Sequence, residues 1–448
     1  MGDVRGSTDE VTVIGAGPSG LGAAFRLQQA GYRVRLLEVA DKVGGRFTTL
    51  HRDGFIMDQG AQVIPSKHLR LLSIIEEAGM SDELVPGGTM LAFAREDGLN
   101  YLDTDHLLRD GLRLGQVSGR AKLALTKLAV DVIRAHRALS FEDLEAVAAL
   151  DTESAGNYAR RRLGTECYEY VIDAAMRGML ATPSDTISKV DLFYGLSKFI
   201  GVSFLALRNG NGSYGDTLAR RFDVELGAMV HEVTDRGDRA AIRWTDASGM
   251  EHDEEAAGCV LAVPAPAAAA MHAGLDDWRR AFLGRVSYTT SVSVSAALSR
   301  PPRDVPASLI FLPRRVHDGL IGMVLDHNKA PGRAPAGKGL VSGYAITDWA
   351  RELIDEDDQT ISKHMLAAYD AILPGVSDDV EFTVVGRWRP TAMFGHPGYY
   401  REYRRFDELA ALDGRVQLAG DYFMTSNVDT ATRNGEVAAR RLLRALGR

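Results

Sequence analysis

The chain has very little cysteine and no excess of positive charge. Among 448 residues there are two cysteines, Cys167 and Cys259, which excludes a disulfide framework and a four-thiolate metal site. The 52 Lys and Arg residues stand against 60 Asp and Glu residues, so the formal net charge is −8. Because nucleic-acid binding depends on basic side chains that neutralise phosphates, we expect no nucleic-acid partner.

Long hydrophobic runs and metal-ligand spacings are lacking as well. No apolar run approaches the roughly 20 residues that span a bilayer, and residues 1–10 lack the apolar core of a secretory signal. No cluster of His, Cys and acidic residues has the spacing of metal ligands. We therefore expect a globular protein of the reduced cytoplasm, with no metal site and no membrane contact.

Glycine, in contrast, is abundant, and the positions of its 46 residues are informative. Residues 11–14 are mostly β-branched and predict a buried parallel strand. The sequence Gly-Ala-Gly-Pro-Ser-Gly follows at residues 15–20, then a predicted helix at 21–30 and a second predicted strand at 34–38. This βαβ pattern, with Glu38 ending the second strand, predicts a dinucleotide-binding site in which Glu38 accepts hydrogen bonds from the adenosine ribose.

The residues of this glycine motif have separate physical roles. Gly15 permits the tight turn, Gly17 lets the backbone approach a pyrophosphate, and Gly20 lets helix and strand pack closely. Pro18 and Ser19 belong to the same turn, where the helix N-terminus presents free N–H groups to the phosphates.

The segments that follow Glu38 distinguish between two kinds of dinucleotide. They read Val43-Gly44-Gly45-Arg46 and Asp58-x-Gly60-Ala61. Here the chain resembles the superfamily of flavin amine oxidases, protoporphyrinogen oxidases and phytoene-type desaturases. The resemblance implies FAD, with Gly45 leaving space on the flavin side, Arg46 as a fixed cation beside the pyrophosphate and ring, and Gly60 and Ala61 in the cofactor site. A nicotinamide-dependent oxidoreductase is the alternative.

Two later segments carry the same resemblance. Residues 224–230 resemble the strand and turn that contact adenine, here through Val230. Leu418-Ala419-Gly420-Asp421 and the helix after it resemble the closing flavin motif. The resemblance implies that Gly420 and Asp421 hold the ribityl or pyrophosphate group, and that amides near Val428 face the flavin N1/O2 edge. Since no Ser-Gly-Gly-Cys motif is present, we expect noncovalent FAD.

The expected fold class is α/β, with a Rossmann-like FAD-binding domain of the glutathione-reductase type and an α+β substrate domain that has an antiparallel sheet and a helical insertion. The expected FAD-binding domain is discontinuous, at residues 1–72, 205–275 and 405–448. The substrate domain comprises a helical part at residues 73–204 and an antiparallel-sheet part at residues 276–404.

Several elements of the substrate domain are predicted from periodicity. We expect mostly helix between residues 69 and 204, including an amphipathic surface helix within residues 122–137. Residues 288–298 alternate between apolar and polar side chains, which predicts a half-buried antiparallel strand. Residues 309–312, 321–325 and 340–346 are predicted to pair with it.

The catalytic residues are the hardest to predict. Related amine oxidases usually carry a lysine on the strand that corresponds to residues 288–298, and this strand has none. We therefore expect slow reoxidation by oxygen, or another acceptor, with Ser291 or Ser293 facing the flavin. Gln62, His396 and Tyr399 are the candidate catalytic residues.

The predicted function is that of an amine-oxidase-like, FAD-dependent oxidoreductase. It takes a hydride from a C–H next to nitrogen, or desaturates a C–C or C–N bond, of a small, largely apolar molecule onto flavin N5. Oxygen or another electron acceptor is the second substrate. Alternatives are a protoporphyrinogen-oxidase-like or desaturase-like enzyme with an acceptor other than oxygen, and a redox-silent FAD-binding scaffold. The sequence is compatible with both a monomer and an oligomer.

Overall fold

The first described strand, Glu10–Ile14, lies in the middle of a five-stranded parallel sheet. The computed structural model describes residues 10–106, 109–111, 115–199, 201–409 and 414–448. Within them the sheet takes strands from both ends and from the middle of the chain. In spatial order these are Asp223–Leu226, Arg33–Glu38, Glu10–Ile14, Gly258–Leu261 and Val416–Leu418. The apolar run of the first strand is fully covered, with Val11 and Val13 at 0% exposure, as predicted for a buried parallel strand.

Both faces of this sheet are covered. On one face the helix Pro18–Gln29 packs against the last helix, Val428–Ala445. The two helices approach closely at Gly435, where a Cβ atom would lie 2.0 Å from the carbonyl oxygen of Ser19. On the other face lies a three-stranded antiparallel sheet, whose apolar side chains share one cluster with Ile14 and Leu37. Its strands are Met229–Asp235, Ala240–Thr245 and Glu251–Ala256.

A seven-stranded sheet forms the second large layer. Ser291–Leu298 lies inside this sheet and is buried on both faces, so the prediction of a half-buried strand is wrong. The buried serine hydroxyls are satisfied within the protein, as in the pair of Ser295 and Ser342 at 2.9 Å. The spatial order is Val380–Trp388, Ser291–Leu298, Gly339–Ala345, Leu320–Leu325, Leu309–Phe311, Met90–Arg95 and Gly98–Asp103.

The predicted pairing within this sheet is only partly correct. Gly339–Ala345 pairs directly with Ser291–Leu298, whereas Leu320–Leu325 and Leu309–Phe311 lie one and two strands further out. The other direct neighbour is Val380–Trp388, a strand absent from the sequence prediction.

The segment between residues 69 and 204 is mostly helical, as predicted, although it also contains strands. Its main helices are Gly119–Arg134, Leu144–Leu150, Ala155–Arg162, Asp173–Leu180 and Lys189–Phe199. A π-helical turn at Tyr168–Ile172 directly precedes the helix Asp173–Leu180. The hairpin of Met90–Arg95 and Gly98–Asp103 also lies in this segment. The amphipathic surface helix is confirmed, since Leu128 and Val132 are buried while Lys127 and Arg134 are exposed.

The remaining elements connect these layers. The described helices lack the length and apolar character of a membrane-spanning segment. The other helices are Leu69–Glu77, Ser213–Ala219, Ala265–Met271, Asp277–Gly284, Asp326–Lys329, Thr347–Leu353, Asp358–Asp370 and Tyr399–Glu408, and the other strands are Phe47–Arg52, Phe55–Gly60, Ile64–Pro65, Leu84–Pro86 and Phe204–Leu207.

Candidate functional site

The glycine motif forms a turn that only glycine can occupy at two positions. Gly15 has a φ of 97°, and a Cβ atom there would lie 2.6 Å from the carbonyl oxygen of Ala262. A Cβ atom at Gly20 would lie 1.8 Å from the carbonyl oxygen of Gly15. At Gly17, in contrast, a Cβ atom would point into open space. The backbone at Gly17 is therefore open to a ligand.

The helix that starts at this turn offers unsatisfied donors. Gly17 is its N-cap and supplies no side-chain hydrogen bond to the first amides. The Oγ atom of Ser19 is buried and has no hydrogen-bond partner among the described residues. A buried hydroxyl without a partner needs an explanation, and a phosphate group at this helix N-terminus would supply one. The turn therefore fits the predicted pyrophosphate.

Glu38 is held beside the same turn. Its carboxylate accepts hydrogen bonds from the amides of Ala16 at 2.7 Å and Ala40 at 2.9 Å. The amide of Ala228 donates to the Glu38 carbonyl oxygen at 2.9 Å, so the segment that leads to Val230 passes next to Glu38. The Val230 side chain itself packs in the apolar cluster under the parallel sheet. A role of Val230 towards adenine stays a prediction.

A second glycine turn meets the first one. Gly45 has a φ of 54°, and its Cβ position would lie 3.2 Å from the Cα atom of Gly17. Gly60 has a φ of 79°, and a Cβ atom there would lie 2.2 Å from the carbonyl oxygen of Arg46. Nη1 of Arg46 forms an ion pair of 3.0 Å with Oδ2 of Asp421. The fold thus brings together three predicted cofactor segments that are distant in the sequence.

Next to these segments lies a cavity of about 340 Å³. Seven of the predicted site residues line it, and they are Pro18, Arg46, Gly60, Ala61, Gln62, Asp421 and Val428. The wall continues over the helical part and the seven-stranded sheet, where it is apolar, with Met176, Met179, Leu180, Leu309, Phe311, Ile321 and Met323. The cavity therefore extends from the predicted cofactor residues to an apolar pocket.

Gln62 is fixed in this wall by a buried charge network. Its Oε1 atom accepts a hydrogen bond of 2.7 Å from Nζ of Lys329, and its Nε2 atom donates to the hydroxyl of Tyr344, which also lines the cavity. Lys329 is 1% exposed and forms ion pairs with Asp58 at 3.0 Å and Asp326 at 2.5 Å. Sequence reasoning missed Lys329, because Asp58 and Gln62, which bring it to the cavity wall, are remote in the chain.

His396 and Tyr399 are not brought to Gln62. Neither is among the described residues that line the cavity. Tyr399 is 1% exposed, donates its hydroxyl proton to the carbonyl oxygen of Tyr422, and packs against Phe282. Burial raises the pKa of Tyr399 well above its ordinary value. The sequence placed these residues in the pocket, whereas the structure directs the Tyr399 side chain into the core of the helical part. We therefore leave both out of the proposed catalytic set.

Asp191 is an acidic residue of the cavity wall that sequence reasoning also missed. Its two oxygens accept hydrogen bonds from the hydroxyl of Tyr400 at 2.7 Å and the amide of Gly395 at 3.2 Å. Burial raises its pKa well above the ordinary value. Asp191 thus fastens the segment before Tyr399–Glu408 to the helix Lys189–Phe199.

The structure also settles which serine faces the cavity. Ser291 lines the cavity and donates its hydroxyl to the carbonyl oxygen of Ala345 at 2.8 Å. Ser293 instead accepts a hydrogen bond of 3.0 Å from the indole of Trp388. Asn427 lines the cavity as the N-cap of the last helix, and its side chain accepts from the amide of Thr430 at 2.8 Å.

Neither cysteine belongs to the cavity wall of the described residues. Both are buried, and burial raises the pKa of Cys167 to about 11. Within the described ranges, no group of three or more His, Cys, Asp or Glu side chains has the arrangement of a metal site.

Comparison with known proteins finds similarity over nearly the whole length of the chain. Residues 18–443 match a family model described as flavin containing amine oxidoreductase. Coproporphyrinogen III oxidase of Bacillus subtilis (strain 168) is 23% identical over 471 residues, covering 96% of this chain and 96% of that protein. Mitochondrial protoporphyrinogen oxidase of Nicotiana tabacum is 26% identical over 187 residues, which cover 42% of this chain and 35% of that protein.

Solved structures show the same fold. Cyclohexylamine oxidase from Brevibacterium oxydans IH-35A aligns with a TM-score of 0.78 at 17% identity, over 100% of both chains. A wild-type putrescine oxidase bound to putrescine aligns with a TM-score of 0.74 at 18% identity, over 98% of this chain and 100% of that one. At such identities the similarity establishes the mixed α/β fold.

Proposed function

Because the chain belongs to the family of flavin-containing amine oxidoreductases, we propose that this FAD-dependent oxidoreductase acts on a small and largely apolar molecule. It takes a hydride from a C–H bond next to nitrogen, or desaturates a C–C or C–N bond. The cavity supports this proposal, because it joins predicted cofactor residues such as Arg46 and Val428 to an apolar wall such as Met179 and Phe311.

We assign the cofactor to the residues predicted from the sequence. Gly15, Gly17, Pro18, Ser19 and Gly20 would hold the pyrophosphate, and the orphaned hydroxyl of Ser19 supports this assignment. Glu38 and Val230 would hold the adenosine. The flavin half would be held by Gly45, Arg46, Gly60, Ala61, Gly420, Asp421 and Val428, of which most line the cavity.

The proposed domain division is based on the strands of the parallel sheet. The predicted FAD-binding domain, at residues 1–72, 205–275 and 405–448, contains all five strands of the parallel sheet. This supports a Rossmann-like domain of the glutathione-reductase type. The substrate domain then consists of a helical part at residues 73–204 and a sheet part at residues 276–404. The hairpin at residues 90–103 joins the two parts, because it completes the seven-stranded sheet.

Bound FAD supplies the hydride acceptor, so the protein has little covalent chemistry to perform. The residues of the chain must orient the C–H bond and exclude water. Met176, Leu180 and Phe311 would exclude water through their apolar side chains. Gln62 and Tyr344 are the polar groups with which the wall can orient a substrate nitrogen, and Lys329 fixes the orientation of Gln62.

Our proposal for the electron acceptor rests on the residue of the strand Ser291–Leu298 that faces the cavity. Its cavity-facing residue, Ser291, carries no charge that would assist oxygen at the flavin. We therefore propose slow reoxidation by oxygen, or a different acceptor.

Two measurements on the purified protein test this function. Absorption bands near about 370 nm and about 450 nm would demonstrate the flavin and exclude a nicotinamide enzyme. Anaerobic bleaching of the second band by members of a substrate panel would demonstrate oxidation. A flavin that no panel member bleaches, although dithionite bleaches it, would favour a redox-silent scaffold.

A second candidate is porphyrinogen oxidation. The match to coproporphyrinogen III oxidase over 96% of both chains favours it. The panel should therefore contain alicyclic and linear amines together with porphyrinogens. Bleaching by porphyrinogens alone would replace the amine proposal with this one.

A further inference from the structure

Two polar side chains in the apolar cavity, Lys198 and His68, lack a hydrogen-bonding or ion-pairing side-chain partner among the described residues. Lys198 lies near the end of the helix Lys189–Phe199, and His68 directly precedes the helix Leu69–Glu77. Both side chains line the cavity. They differ in this respect from Arg46, the other cationic residue of the described wall, which pairs with Asp421 at 3.0 Å.

Lys198 has no directly bound anion among the described residues. Within the described residues its ammonium group forms no ion pair and no hydrogen bond, and its contact is with the Tyr194 ring, 5.3 Å from the centroid. The carboxylate of Asp429 stabilises this charge through space, and its Oδ1 atom accepts hydrogen bonds from the amides of Arg70 at 2.7 Å and Leu71 at 3.1 Å. Burial lowers the pKa of Lys198. A partly buried ammonium group without an anion is costly.

His68 is an unpartnered donor beside this charge. The residue is 6% exposed, and its Nδ1 atom is buried without a hydrogen-bond partner in the part of the chain that the structure describes. Burial, together with the charge of Lys198, lowers the pKa of His68 to about 3. The ring is therefore neutral near pH 7, and a neutral imidazole can donate one hydrogen bond.

We propose that Lys198 and His68 bind a carboxylate group of the substrate. An ammonium group and an imidazole N–H together supply two donors, which match the two oxygens of a carboxylate. The anion would satisfy both orphaned groups, while the apolar wall of Met179 and Phe311 receives the rest of the molecule. This inference rests on the proposed function, because it assumes that the cavity is the substrate site. The inference narrows the proposed class of substrates to apolar molecules that carry an acidic group.

The test uses para-fluorobenzoate and its neutral analogue para-fluorobenzamide, observed by fluorine NMR with the purified, FAD-loaded protein. Para-fluorobenzoate is expected to bind, and para-fluorobenzamide is expected to bind at least about tenfold more weakly, as a lost charge-assisted hydrogen bond implies. Lys198→Met should weaken the benzoate about 10- to 100-fold, whereas Lys198→Arg should retain most of its affinity. His68→Phe should weaken it by a smaller factor.

Lys189→Met is the matched control, because Lys189 lies on the same helix and pairs with Glu153 at 3.4 Å. It should leave benzoate binding unchanged. Equal binding of the two fluoro compounds, or unchanged benzoate affinity in Lys198→Met, overturns the proposal. So does a change of the flavin midpoint potential in Lys198→Met without loss of benzoate binding, since Lys198 would then serve the cofactor. The NMR readout needs no turnover, so failure of the substrate panel remains a separate result.

Discussion

Arg46 and Asp421 form an ion pair of 3.0 Å between Nη1 and Oδ2, which joins the turn after the second strand to the end of the last strand. Asp421 also accepts a hydrogen bond of 2.8 Å from Ser426, and Arg46 donates to the carbonyl oxygen of Thr391 at 2.9 Å. Asp421 is 4% exposed, and Arg46 is the cation that pairs with its buried carboxylate. The pair fixes both residues on the cavity wall.

Removing one member of this pair should cost more than removing both. Arg46→Met leaves the Asp421 carboxylate buried without its cation, and we expect a loss of about 2–4 kcal/mol in the free energy of unfolding. Arg46→Met combined with Asp421→Asn should recover part of that loss, but it should not recover FAD affinity. Denaturant unfolding and FAD titration measure the two effects. If the double variant bound FAD as tightly as the unchanged protein, the pair would have no cofactor role.

Glu38→Ala should weaken FAD binding without unfolding the chain. The loss of hydrogen bonds from the ribose hydroxyls to a carboxylate corresponds to about 1.5–3 kcal/mol. The amides of Ala16 and Ala40 also lose an acceptor, so a small loss of stability should accompany it. Flavin fluorescence during titration of the apoprotein measures the affinity. Glu225→Ala, on the neighbouring strand, serves as control, and equal affinity in both variants would show that the ribose lies elsewhere.

The flavin should leave the polypeptide intact on denaturation. Both cysteines are buried, and neither lies on the described cavity wall. After acid precipitation we expect all the yellow colour in the supernatant, with the mass of FAD. Colour that stays with the protein pellet would contradict noncovalent binding.

Ser291→Lys should accelerate reoxidation of the reduced enzyme by oxygen. Ser291 faces the cavity, and a positive charge there stabilises the negative charge that develops as oxygen is reduced. We expect an increase of about 10-fold or more in the rate measured by stopped flow, with Ser291→Met as the uncharged control of similar size. Rapid reoxidation of the unchanged protein would show that oxygen activation does not depend on this position.

His68 should make the protein less stable in mild acid. Burial and Lys198 lower its folded-state pKa to about 3, whereas an unfolded histidine titrates near about 6.5. Between these values only the unfolded state takes up the proton, so stability falls as the pH falls through this window, by up to about 1.4 kcal/mol per pH unit.

His68→Phe should therefore flatten the dependence of unfolding free energy on pH between about 6.5 and 4, because it removes this proton uptake. Denaturant unfolding at several pH values measures the slope. His364→Phe removes an exposed histidine from the helix Asp358–Asp370 and should leave the slope unchanged. The same slope in His68→Phe as in the unchanged protein would show that His68 is protonated in the folded state.

The local structure around the site was predicted correctly where the sequence carries a local signature. Gly15 and Gly20 are required by contacts with the adjacent strand end and within the turn itself, whereas Gly17 keeps the backbone open, and the β-branched run before them identifies the first strand. The helix expected after the closing motif, with its N-terminal amides near Val428, is present at Val428–Ala445, because its polar N-terminal turn is visible in the sequence.

The parts that were missed depend on contacts between remote residues. Lys329 lies on a helix of four residues, and its role is visible only when Asp58 and Gln62 are brought next to it. The burial of Ser291–Leu298 on both faces was missed because serines alternate with apolar residues there, a pattern typical of a strand with one solvated face. Tyr399 was misplaced because an aromatic residue near a loop suits a pocket and a core equally well.

The order of strands in the parallel sheet also sets an order of events during synthesis. Its outer strand, Val416–Leu418, and the last helix that covers Ser19 leave the ribosome after nearly all other residues. The seven-stranded sheet, which ends at Trp388, can form while that sheet is still incomplete. Because Asp421 and Val428 of the cavity wall come from this late segment, the pocket and the proposed flavin site are completed together, and a chain that stops before residue 416 should remain colourless.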